Sequence, residues 1–417
     1  MSLETEIKDV LARVRQASKS LALCSTDQKN AALKDLARAL RRSATAIVEV
    51  NREDLNRART TGISGAFLDR LALDEPRIEA MARGVEQIVS LPDPVGETIA
   101  SWTRPNGLAI LQVRVPIGVI AVIYESRPNV TIDAGALCLK AGNAIVMRGG
   151  REAVATNREL AGIIAGALER TGIPPQALWF VDNPDHETVQ ILKHQTGAVD
   201  LIVPRGGAAL KAALRDSAVP MLPHFDGICH TYVDRRAELK MAEEICINAK
   251  CDRPSVCNAM ENLLVHRDIA REFLPRIARS LKEAGVEIRG CERTRELLPN
   301  AAPAADSDWD SEYLDLILAI KVVDSIDEAI EFITKHGSGL ADAIVTDDPI
   351  AASRFEAAVD SASVFVNAST RFADGFEFGF GAETGISTNR LHARGPMGLR
   401  ELTTYKYIVR GSGQVRV

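Results

Sequence analysis

Residues 119–147, VIAVIYESRPNVTIDAGALCLKAGNAIVM, begin and end in a short, uninterrupted apolar run. Similar runs recur at 178–181 and 200–203, with helical segments between them. Spacings of about 20 to 35 residues suit β-α-β units, and continuous apolar strands are typical of a parallel sheet buried on both faces. The sequence therefore predicts a doubly wound α/β domain.

A second α/β series follows from about Cys229 and predicts a second sheet domain. Residues 298–310, rich in Pro, Ala, Asp and Ser, are predicted to form a loop. The first hundred residues carry apolar positions at helical spacing, with one helix starting after Asp74, and predict an α-helical entry. The strands predicted for the second series are ENLLVH at 261–266, VEIR at 286–289, LILAIKVV at 316–323, DAIVT at 342–346 and SVFVN at 363–367.

Composition and charge exclude several classes of protein. The chain of 417 residues has 50 Lys and Arg against 56 Asp and Glu, a net charge of −6 with no basic stripe, which argues against nucleic acid as a partner. Its longest uncharged apolar stretch, residues 115–124, is too short to span a bilayer, and its N-terminus lacks a secretory signal. The seven cysteines are sparse and lack framework spacing, so we expect reduced thiols in a cytoplasmic protein.

Two segments fit neither domain. Residues 108–115 end in alternating apolar and polar positions, and residues 403–410 have the pattern of an exposed strand. They are interpreted either as a flap that pairs with another subunit or as two edge strands of the same chain.

Two glycine turns follow predicted strands and are candidate phosphate sites. Glycine lets the backbone approach a phosphate closely, and a following helix offers unpaired N–H groups. Neither turn is a full dinucleotide fingerprint, and a plain tight turn explains each pattern equally well. The first turn contains Arg148, Gly149, Gly150 and Arg151, and the second, before the helix predicted at 208–218, contains Pro204, Arg205, Gly206 and Gly207.

Cys257, in the segment RPSVCNA at 253–259, is the candidate nucleophile. Lys250 and Arg253 are near in sequence and would favour its thiolate. An inert core thiol is the alternative interpretation. Together with Cys246 and Cys251 it has no metal-ligand spacing, so no metal site is predicted.

These motifs resemble the aldehyde dehydrogenase superfamily and, within it, the reductases that act on L-glutamyl 5-phosphate. The fold implied is two doubly wound α/β domains with a small β oligomerisation flap. The implied cofactor-binding domain is 1–104 and 119–228, with a returning segment near 363–394; the catalytic domain is 229–362; and the flap is 105–118 and 395–417. The matching stretches are 115–150, 224–234, 253–259 and FGFGAETGISTNRLHARGPMGL at 378–399.

The resemblance implies a role for several single residues. Cys257 falls on the nucleophile position, Asn129 on that of the side-chain amide of the oxyanion hole, and Glu312 on that of the glutamate that holds the nicotinamide ribose. Arg148 replaces the lysine that usually contacts the adenosine ribose. Arg253, Ser369 and Arg371 are predicted to bind substrate, without assignment of its α-amino and α-carboxylate groups.

Departures from the family pattern are informative. His224 stands where oxidising members have the glutamate that activates water, so water is not the expected acyl acceptor. Arg151 stands where NAD-preferring members have an acidic residue, and a guanidinium would pair with a 2′-phosphate, which favours NADPH. Phe332, Leu340 and Ala341 replace two histidines and a Ser or Thr of the reductases, which weakens any role for those side chains.

The activity implied is NADPH-dependent reduction of L-glutamyl 5-phosphate to the 5-semialdehyde and phosphate through a cysteine thioester, in L-proline biosynthesis. Two alternatives remain: an NAD(P)-dependent dehydrogenase that oxidises a semialdehyde to the acid, and a non-catalytic dinucleotide-binding protein. The resemblance also implies a homodimer or tetramer and a functional coupling to glutamate 5-kinase.

Overall fold

The computed structural model describes residues 2–63, 65–125, 127–222 and 226–416. The chain divides into two compact units, each assembled from segments that are distant in sequence. Unit 1 comprises Met1–Pro223, Gly379–Gly385 and Met397–Val417, and unit 2 comprises His224–Phe378 and Ile386–Pro396.

Unit 1 begins with helices whose apolar faces are buried, as predicted. The side chains of Ser2, Ser25 and Asp74 each accept a hydrogen bond from a backbone N–H three residues later, which caps the helix that follows. The helix predicted after Asp74 is confirmed. The helices of unit 1 are α1 Leu3–Leu21, α2 Thr26–Arg42, α3 Ala44–Thr60, α4 Ala66–Leu71, α5 Glu75–Ser90, α6 Asn129–Lys140, α7 Val154–Arg170, α8 His186–Leu192 and α9 Ala208–Leu214.

The core of unit 1 is a parallel sheet of four strands in the order β5-β4-β3-β6. Every residue of β3 is buried, which explains its unbroken apolar run. The chain moves outward from β3 to β5 and then returns to place β6 on the other side, so the direction of winding reverses between β3 and β6. Ligands of such sheets bind at the carboxyl ends of the strands at this reversal. The strands are β3 Val119–Tyr124, β4 Ala144–Arg148, β5 Leu178–Phe180 and β6 Leu201–Arg205.

A separate antiparallel sheet in unit 1 has the order β1-β2-β16. It contains β1 Thr98–Thr103, β2 Ala109–Pro116 and β16 Thr403–Arg410. The two segments that fitted neither domain are therefore paired with each other in the same chain, from Thr403 opposite Pro116 to Arg410 opposite Ala109. Contact of this sheet with a second subunit stays a prediction.

Unit 2 is built on a parallel sheet of seven strands in the order β10-β9-β11-β8-β7-β12-β13. A two-stranded sheet, β14 Ile386–Ser387 and β15 Gly395–Pro396, belongs to the same unit. The strands of the main sheet are β7 Cys229–Val233, β8 Met260–His266, β9 Glu287–Gly290, β10 Ala302–Pro303, β11 Ile317–Val323, β12 Ala341–Val345 and β13 Ser363–Val366. The helices are α10 Leu239–Cys251, α11 Arg267–Glu283, α12 Glu292–Leu297, α13 Ile326–His336 and α14 Pro349–Ala358.

Two elements differ from the prediction. The segment 298–310 is not only a loop, since Ala302–Pro303 forms the edge strand and Asp306–Asp310 a short 3-10 helix. The helix predicted at 208–218 ends at Leu214. Among the helices in the described ranges, none combines the length and apolar character needed to cross a membrane.

Candidate active site

Cys257 lies in the loop between α10 and β8, shortly before the strand begins. Its side chain is half-buried and packs against a cluster of buried residues. Because Cys229 begins β7 and Leu340 directly precedes β12, this cluster lies at the amino ends of the parallel strands. Leu340 and Ala341 therefore provide an apolar contact for Cys257. The buried members of the cluster are Cys229, Leu340, Ala341, Ala373 and Ile386.

Gly227 brings the segment before β7 into direct contact with the backbone of Cys257. A Cβ atom on Gly227 would lie 1.9 Å from the Cys257 carbonyl oxygen and 2.5 Å from its Cα. Only a residue without a side chain fits at this separation. The backbone of the candidate nucleophile is thus held between β8 and the segment that precedes β7.

Cys229 is a second thiol at this site, and the sequence analysis gave it no role. Its Sγ donates a hydrogen bond to the Cys257 carbonyl oxygen at 3.3 Å. Burial, with the Asp342 carboxylate nearby, raises the pKa of Cys229 well above its usual value. It therefore keeps its proton and acts as a donor to the Cys257 peptide. Every residue of β7 is buried, so the pattern of the strand does not single out this thiol.

Arg371 is held beside the Cys257 loop by Asn258. The Asn258 Nδ2 donates to the carbonyl oxygens of Arg371 at 3.3 Å and Ala373 at 3.0 Å, while the Arg371 Nη1 donates to the Asn258 Oδ1. Arg371 Nε donates to Asp252 Oδ2 at 3.1 Å. The structure thus brings Arg371, a predicted substrate residue, to the loop of the predicted nucleophile.

The other two predicted substrate residues differ in exposure. Arg253 is exposed on the Cys257 loop itself. Ser369 is buried, and its Oγ accepts from the backbone N–H of Arg371 at 3.3 Å, which caps the short 3-10 helix Thr370–Phe372. Ser369 therefore has a structural task in addition to its predicted one.

Glu312 is half-buried in the segment before β11. Its Oε1 accepts a hydrogen bond from the backbone N–H of Gly227 at 2.9 Å. Since Gly227 touches Cys257, the predicted ribose-binding carboxylate also secures the segment that packs on the nucleophile.

Lys250, which was predicted to favour the Cys257 thiolate, lies in the interior of unit 2. Its ammonium is fully buried and pairs with Glu261, the Nζ–Oε2 distance being 2.6 Å. Burial lowers the pKa of Lys250 and raises that of Glu261 to about 7. The Lys250 charge is thus matched by the Glu261 carboxylate, and its predicted effect on the Cys257 thiolate stays a prediction. Lys250 also makes a cation–π contact with Tyr313, whose ring centroid lies 5.7 Å from Lys250 Nζ.

The first glycine turn follows β4 in unit 1. Arg148 is buried and its Nη2 donates to the Pro184 carbonyl oxygen at 2.5 Å; burial lowers its pKa. Arg151 is 70% exposed and lies 3.7 Å from the Asp185 carboxylate, so its guanidinium faces solvent. A Cβ on Gly149 would lie 2.2 Å from Asn157 Nδ2, so this glycine has a packing reason of its own.

Gly150, in the same turn, is likewise crowded by a side chain. A Cβ there would lie 2.3 Å from the Glu152 Oε1. That contact is with the end of a flexible side chain, so it is easier to relieve than a backbone contact.

The second glycine turn ends β6 and precedes α9. Pro204 is buried in the strand, and Gly207 N–H donates to the Glu125 carboxylate at 3.0 Å. A Cβ on Gly206 would lie 2.6 Å from Glu125 Cδ. The Gly207 N–H, which was predicted to bind pyrophosphate, is thus already bonded to the Glu125 carboxylate. A phosphate would have to displace that carboxylate.

Asn129 begins α6 and its side chain is exposed. Its Nδ2 donates to Asp133 Oδ2 at 3.0 Å, one helical turn later. Burial raises the pKa of Asp133 to about 6, against the opposing effects of Asn129 and the Arg205 guanidinium. Asp133 was not predicted as a site residue, although its four-residue spacing from Asn129 on a helix was a usable signal.

Two further predictions concern His224 and the expected lack of a metal site. His224 lies outside the described residues, so its predicted role stays a prediction. In the part of the chain that the structure describes, no three His, Cys, Asp or Glu side chains are grouped as metal ligands.

Comparison with known proteins gives consistent matches. The sequence model of the aldehyde dehydrogenase family matches residues 2–294. The chain is 54% identical over 412 residues to a gamma-glutamyl phosphate reductase of Carboxydothermus hydrogenoformans, covering 99% of each chain. It is 52% identical over 417 residues to the protein of that name from Moorella thermoacetica, covering 100% of each.

Solved structures agree in fold. The crystal structure of gamma-glutamyl phosphate reductase from Thermotoga maritima has a TM-score of 0.97 and 48% identity, with 99% of this chain and 100% of that chain covered. An acetylating aldehyde dehydrogenase from Geobacillus thermoglucosidasius, 18% identical with a TM-score of 0.68 and 99% and 98% coverage, shares the fold alone. The predicted fold class is thereby confirmed, and the chain belongs to the aldehyde dehydrogenase family.

Proposed function

We propose that this chain catalyses the NADPH-dependent reduction of L-glutamyl 5-phosphate to L-glutamate 5-semialdehyde and phosphate, in L-proline biosynthesis. The observation that carries the proposal is the half-buried Cys257 thiol at the amino ends of the unit 2 sheet, in a chain matched over its full length by relatives named gamma-glutamyl phosphate reductase. The names of those relatives supply the substrate, and the thiol supplies the chemistry.

The reaction follows from the chemistry of Cys257. Its thiolate attacks the acyl carbon of the substrate, and the bond to phosphate breaks with the electron pair leaving on phosphate. Phosphate is a good leaving group, so little acid catalysis is required. A nicotinamide cofactor, when bound, supplies the hydride that reduces the resulting thioester. The thiohemiacetal on Cys257 then collapses to the aldehyde and regenerates the thiolate.

Negative charge develops on the acyl oxygen in both additions. We assign the Asn129 side-chain amide and the Cys257 backbone N–H as the donors that stabilise it. The contact of Cys229 with the Cys257 carbonyl and the close approach of Gly227 support this assignment, because they restrain the backbone of the residue whose N–H is the second donor.

We assign the turn after β4 to the adenosine 2′-phosphate of NADPH. Arg151 is exposed and its weak pair with Asp185 can be exchanged for a 2′-phosphate. Within the described part of the chain, Arg148 Nε is a buried donor with no hydrogen-bond partner. Arg148 and Arg151 would hold the adenosine phosphate with Gly149 and Gly150 between them. Glu312 would hold the nicotinamide ribose, and Pro204, Arg205, Gly206 and Gly207 would lie along the pyrophosphate.

The substrate side is assigned to the segments that meet at the Cys257 loop. Arg371 has its guanidinium next to Asn258, and Arg253 has its side chain in solvent. Either guanidinium can pair with the substrate α-carboxylate. Ser369 offers a hydroxyl in addition to its capping role.

We also propose that the protein is a cytoplasmic homodimer or tetramer that assembles through the β1-β2-β16 sheet, and that it receives its substrate from glutamate 5-kinase. Supporting the first part, the sheet exposes the aromatic rings of Trp102, Tyr405 and Tyr407. Supporting the second, acyl phosphates hydrolyse readily, so a nearby source is an advantage.

The reaction is tested in reverse. NADP⁺ reduction by L-glutamate 5-semialdehyde is measured with and without inorganic phosphate, using the parent, Cys257→Ser and the control Cys251→Ser, whose thiol ends α10. We expect phosphate-dependent activity in the parent and the Cys251→Ser variant and none in Cys257→Ser.

The other outcomes identify the alternatives. Turnover that is independent of phosphate would indicate a dehydrogenase that forms the free acid. Cofactor binding without turnover in the parent would indicate a non-catalytic protein. Loss of activity only in Cys251→Ser would show that the wrong thiol has been assigned.

A further inference from the structure

Asp133 carries a carboxylate to which the proposed reaction assigns no role. It lies on α6, four residues after Asn129, and is half-buried. The Asn129 Nδ2 donates to its Oδ2 at 3.0 Å. An exposed amide at the first turn of a helix would otherwise rotate freely, so the contact restrains a side chain to which the reaction assigns a task.

The chemistry of the pair decides the orientation of the amide. A carboxylate accepts hydrogen bonds and donates none, whereas an amide has a donating nitrogen and an accepting oxygen. Asp133 therefore selects the rotamer in which the nitrogen of Asn129 faces it. One N–H of Nδ2 is used in this contact, and the second N–H remains available for a further acceptor.

The surroundings of Asp133 balance its charge in part. The Arg205 guanidinium, at the end of β6, acts on the carboxylate electrostatically, as does the Asn129 dipole from its own helix. Arg205 is in turn packed against Gly385, where a Cβ would lie 2.7 Å from the Arg205 Nη1. The guanidinium that acts on Asp133 is therefore itself held by packing within unit 1.

We propose that Asp133 is a positioning residue for catalysis, fixing the Asn129 amide so that its second N–H is presented to the acyl oxygen in the transition state. The inference rests on the proposed function, in which Asn129 is the oxyanion donor. It adds a residue that touches neither substrate nor cofactor and acts only through Asn129.

A double-mutant cycle tests the inference. Asn129→Ala, Asp133→Ala, the double variant and Asp133→Asn are compared with the parent for kcat in the phosphate-dependent assay. NADPH affinity by fluorescence titration and thermal unfolding are measured in parallel. Asp133→Asn is the matched control, because its side-chain oxygen can still accept from Asn129 while the charge is removed.

We expect Asp133→Ala to lower kcat by about tenfold or more, as loss of orientation at a reacting centre does. Asp133→Asn should restore kcat to within about threefold of the parent, since the acceptor is retained. In the Asn129→Ala background, Asp133→Ala should cause no further loss of kcat, because the residue through which it acts is gone. NADPH affinity should change little in every variant.

Other results overturn the inference. Additive losses of kcat in the double variant, or no rescue by Asp133→Asn with equal loss of thermal stability, would show a merely structural role. If Asp133→Ala has the kcat of the parent while Asn129→Ala is impaired, Asp133 has no positioning role, and the oxyanion role of Asn129 stands. If Asn129→Ala keeps the parent kcat while Cys257→Ser is inactive, the oxyanion assignment and this inference both fall, but the thioester reaction stands.

Discussion

At the scale of single residues, we expect a buried ion pair that was not predicted from the sequence to contribute to the stability of unit 2. Lys250 and Glu261 are both fully buried and lie 2.6 Å apart, on α10 and β8. Removing one partner of such a pair leaves an uncompensated charge in the interior.

Lys250→Met should therefore lower the free energy of unfolding by about 3 kcal/mol or more, since Glu261 is left without its partner. The measurement is urea unfolding followed by circular dichroism. The control is Lys250→Met combined with Glu261→Gln, which removes both charges and should recover much of the loss. Equal stability of parent and Lys250→Met would contradict the buried pair.

Asp133 predicts a pH dependence of stability. Its pKa is raised to about 6 in the folded protein from 3.8, so folding takes up a proton between these values. The stabilising contribution is complete below pH 3.8, and it is lost as the pH rises through about 6. The stability of Asp133→Asn relative to the parent should thus increase by about 1 to 3 kcal/mol from pH 4 to pH 7 in denaturant titrations. A difference that does not change with pH would contradict the raised pKa.

Arg151→Glu should raise the KM for NADPH at least about tenfold and affect NADH much less, because only NADPH has a 2′-phosphate to pair with the guanidinium. The matched control is Arg158→Glu, the same charge change at another exposed arginine, which pairs with Asp182. It should leave both KM values unchanged. Equal losses for both cofactors, or none, would assign Arg151 to the solvated surface.

At the scale of elements, the buried parallel strands were predictable because an apolar run such as VIAVIY is explained by burial on both faces. The helix start after Asp74 and the alternation of strands and helices were predictable because both depend on local sequence. Short elements were not: β10 has only Ala302 and Pro303, and α9 ends at Leu214 although its sequence favours a longer helix. Their limits depend on neighbouring elements and not on local pattern.

The candidate site was predictable in part. Resemblance identified Cys257, Asn129 and Glu312, but the contacts of Cys257 and Glu312 come from residues far apart in sequence. Cys229 lies 28 residues from the carbonyl group it contacts and Glu312 lies 85 residues from Gly227. Periodicity carries no information on such pairs.

Gly227→Ala should lower kcat by at least about tenfold, because a methyl group would displace the backbone of Cys257 from its reacting position. Gly84→Ala is the control: this glycine is in α5 and a Cβ there meets no atom within 4 Å. The control should keep full activity and be slightly more stable, since alanine favours a helix. Full activity of Gly227→Ala would contradict the close contact.

At the scale of the whole molecule, the β1-β2-β16 sheet carries exposed aromatic rings on its outer strands. Trp102 and Tyr407 have ring centroids 6.1 Å apart, and Tyr405 and Tyr407 5.6 Å apart. Contiguous exposed apolar surface of this kind commonly marks an interface. It is the surface through which we expect the subunits to assemble.

Tyr405→Asp combined with Tyr407→Asp should therefore shift the protein from a dimer or tetramer towards the 45.1 kDa monomer, as charge would be buried without a partner. The measurement is light scattering after size-exclusion chromatography. Leu23→Asp, at an exposed leucine outside this sheet, is the control and should assemble as the parent does. A monomeric parent would contradict the proposed assembly.

A thioester on Cys257 that phosphate discharges would be visible in the first turnover of the reverse reaction. L-glutamate 5-semialdehyde and NADP⁺ are mixed rapidly with the enzyme without phosphate, while NADPH absorbance and the intact protein mass are followed. We predict a burst of about one NADPH per active subunit, an acyl adduct that peptide mapping places on Cys257, and steady turnover only after phosphate is added. Continuous turnover without phosphate, or an unchanged burst in Cys257→Ser, would contradict it.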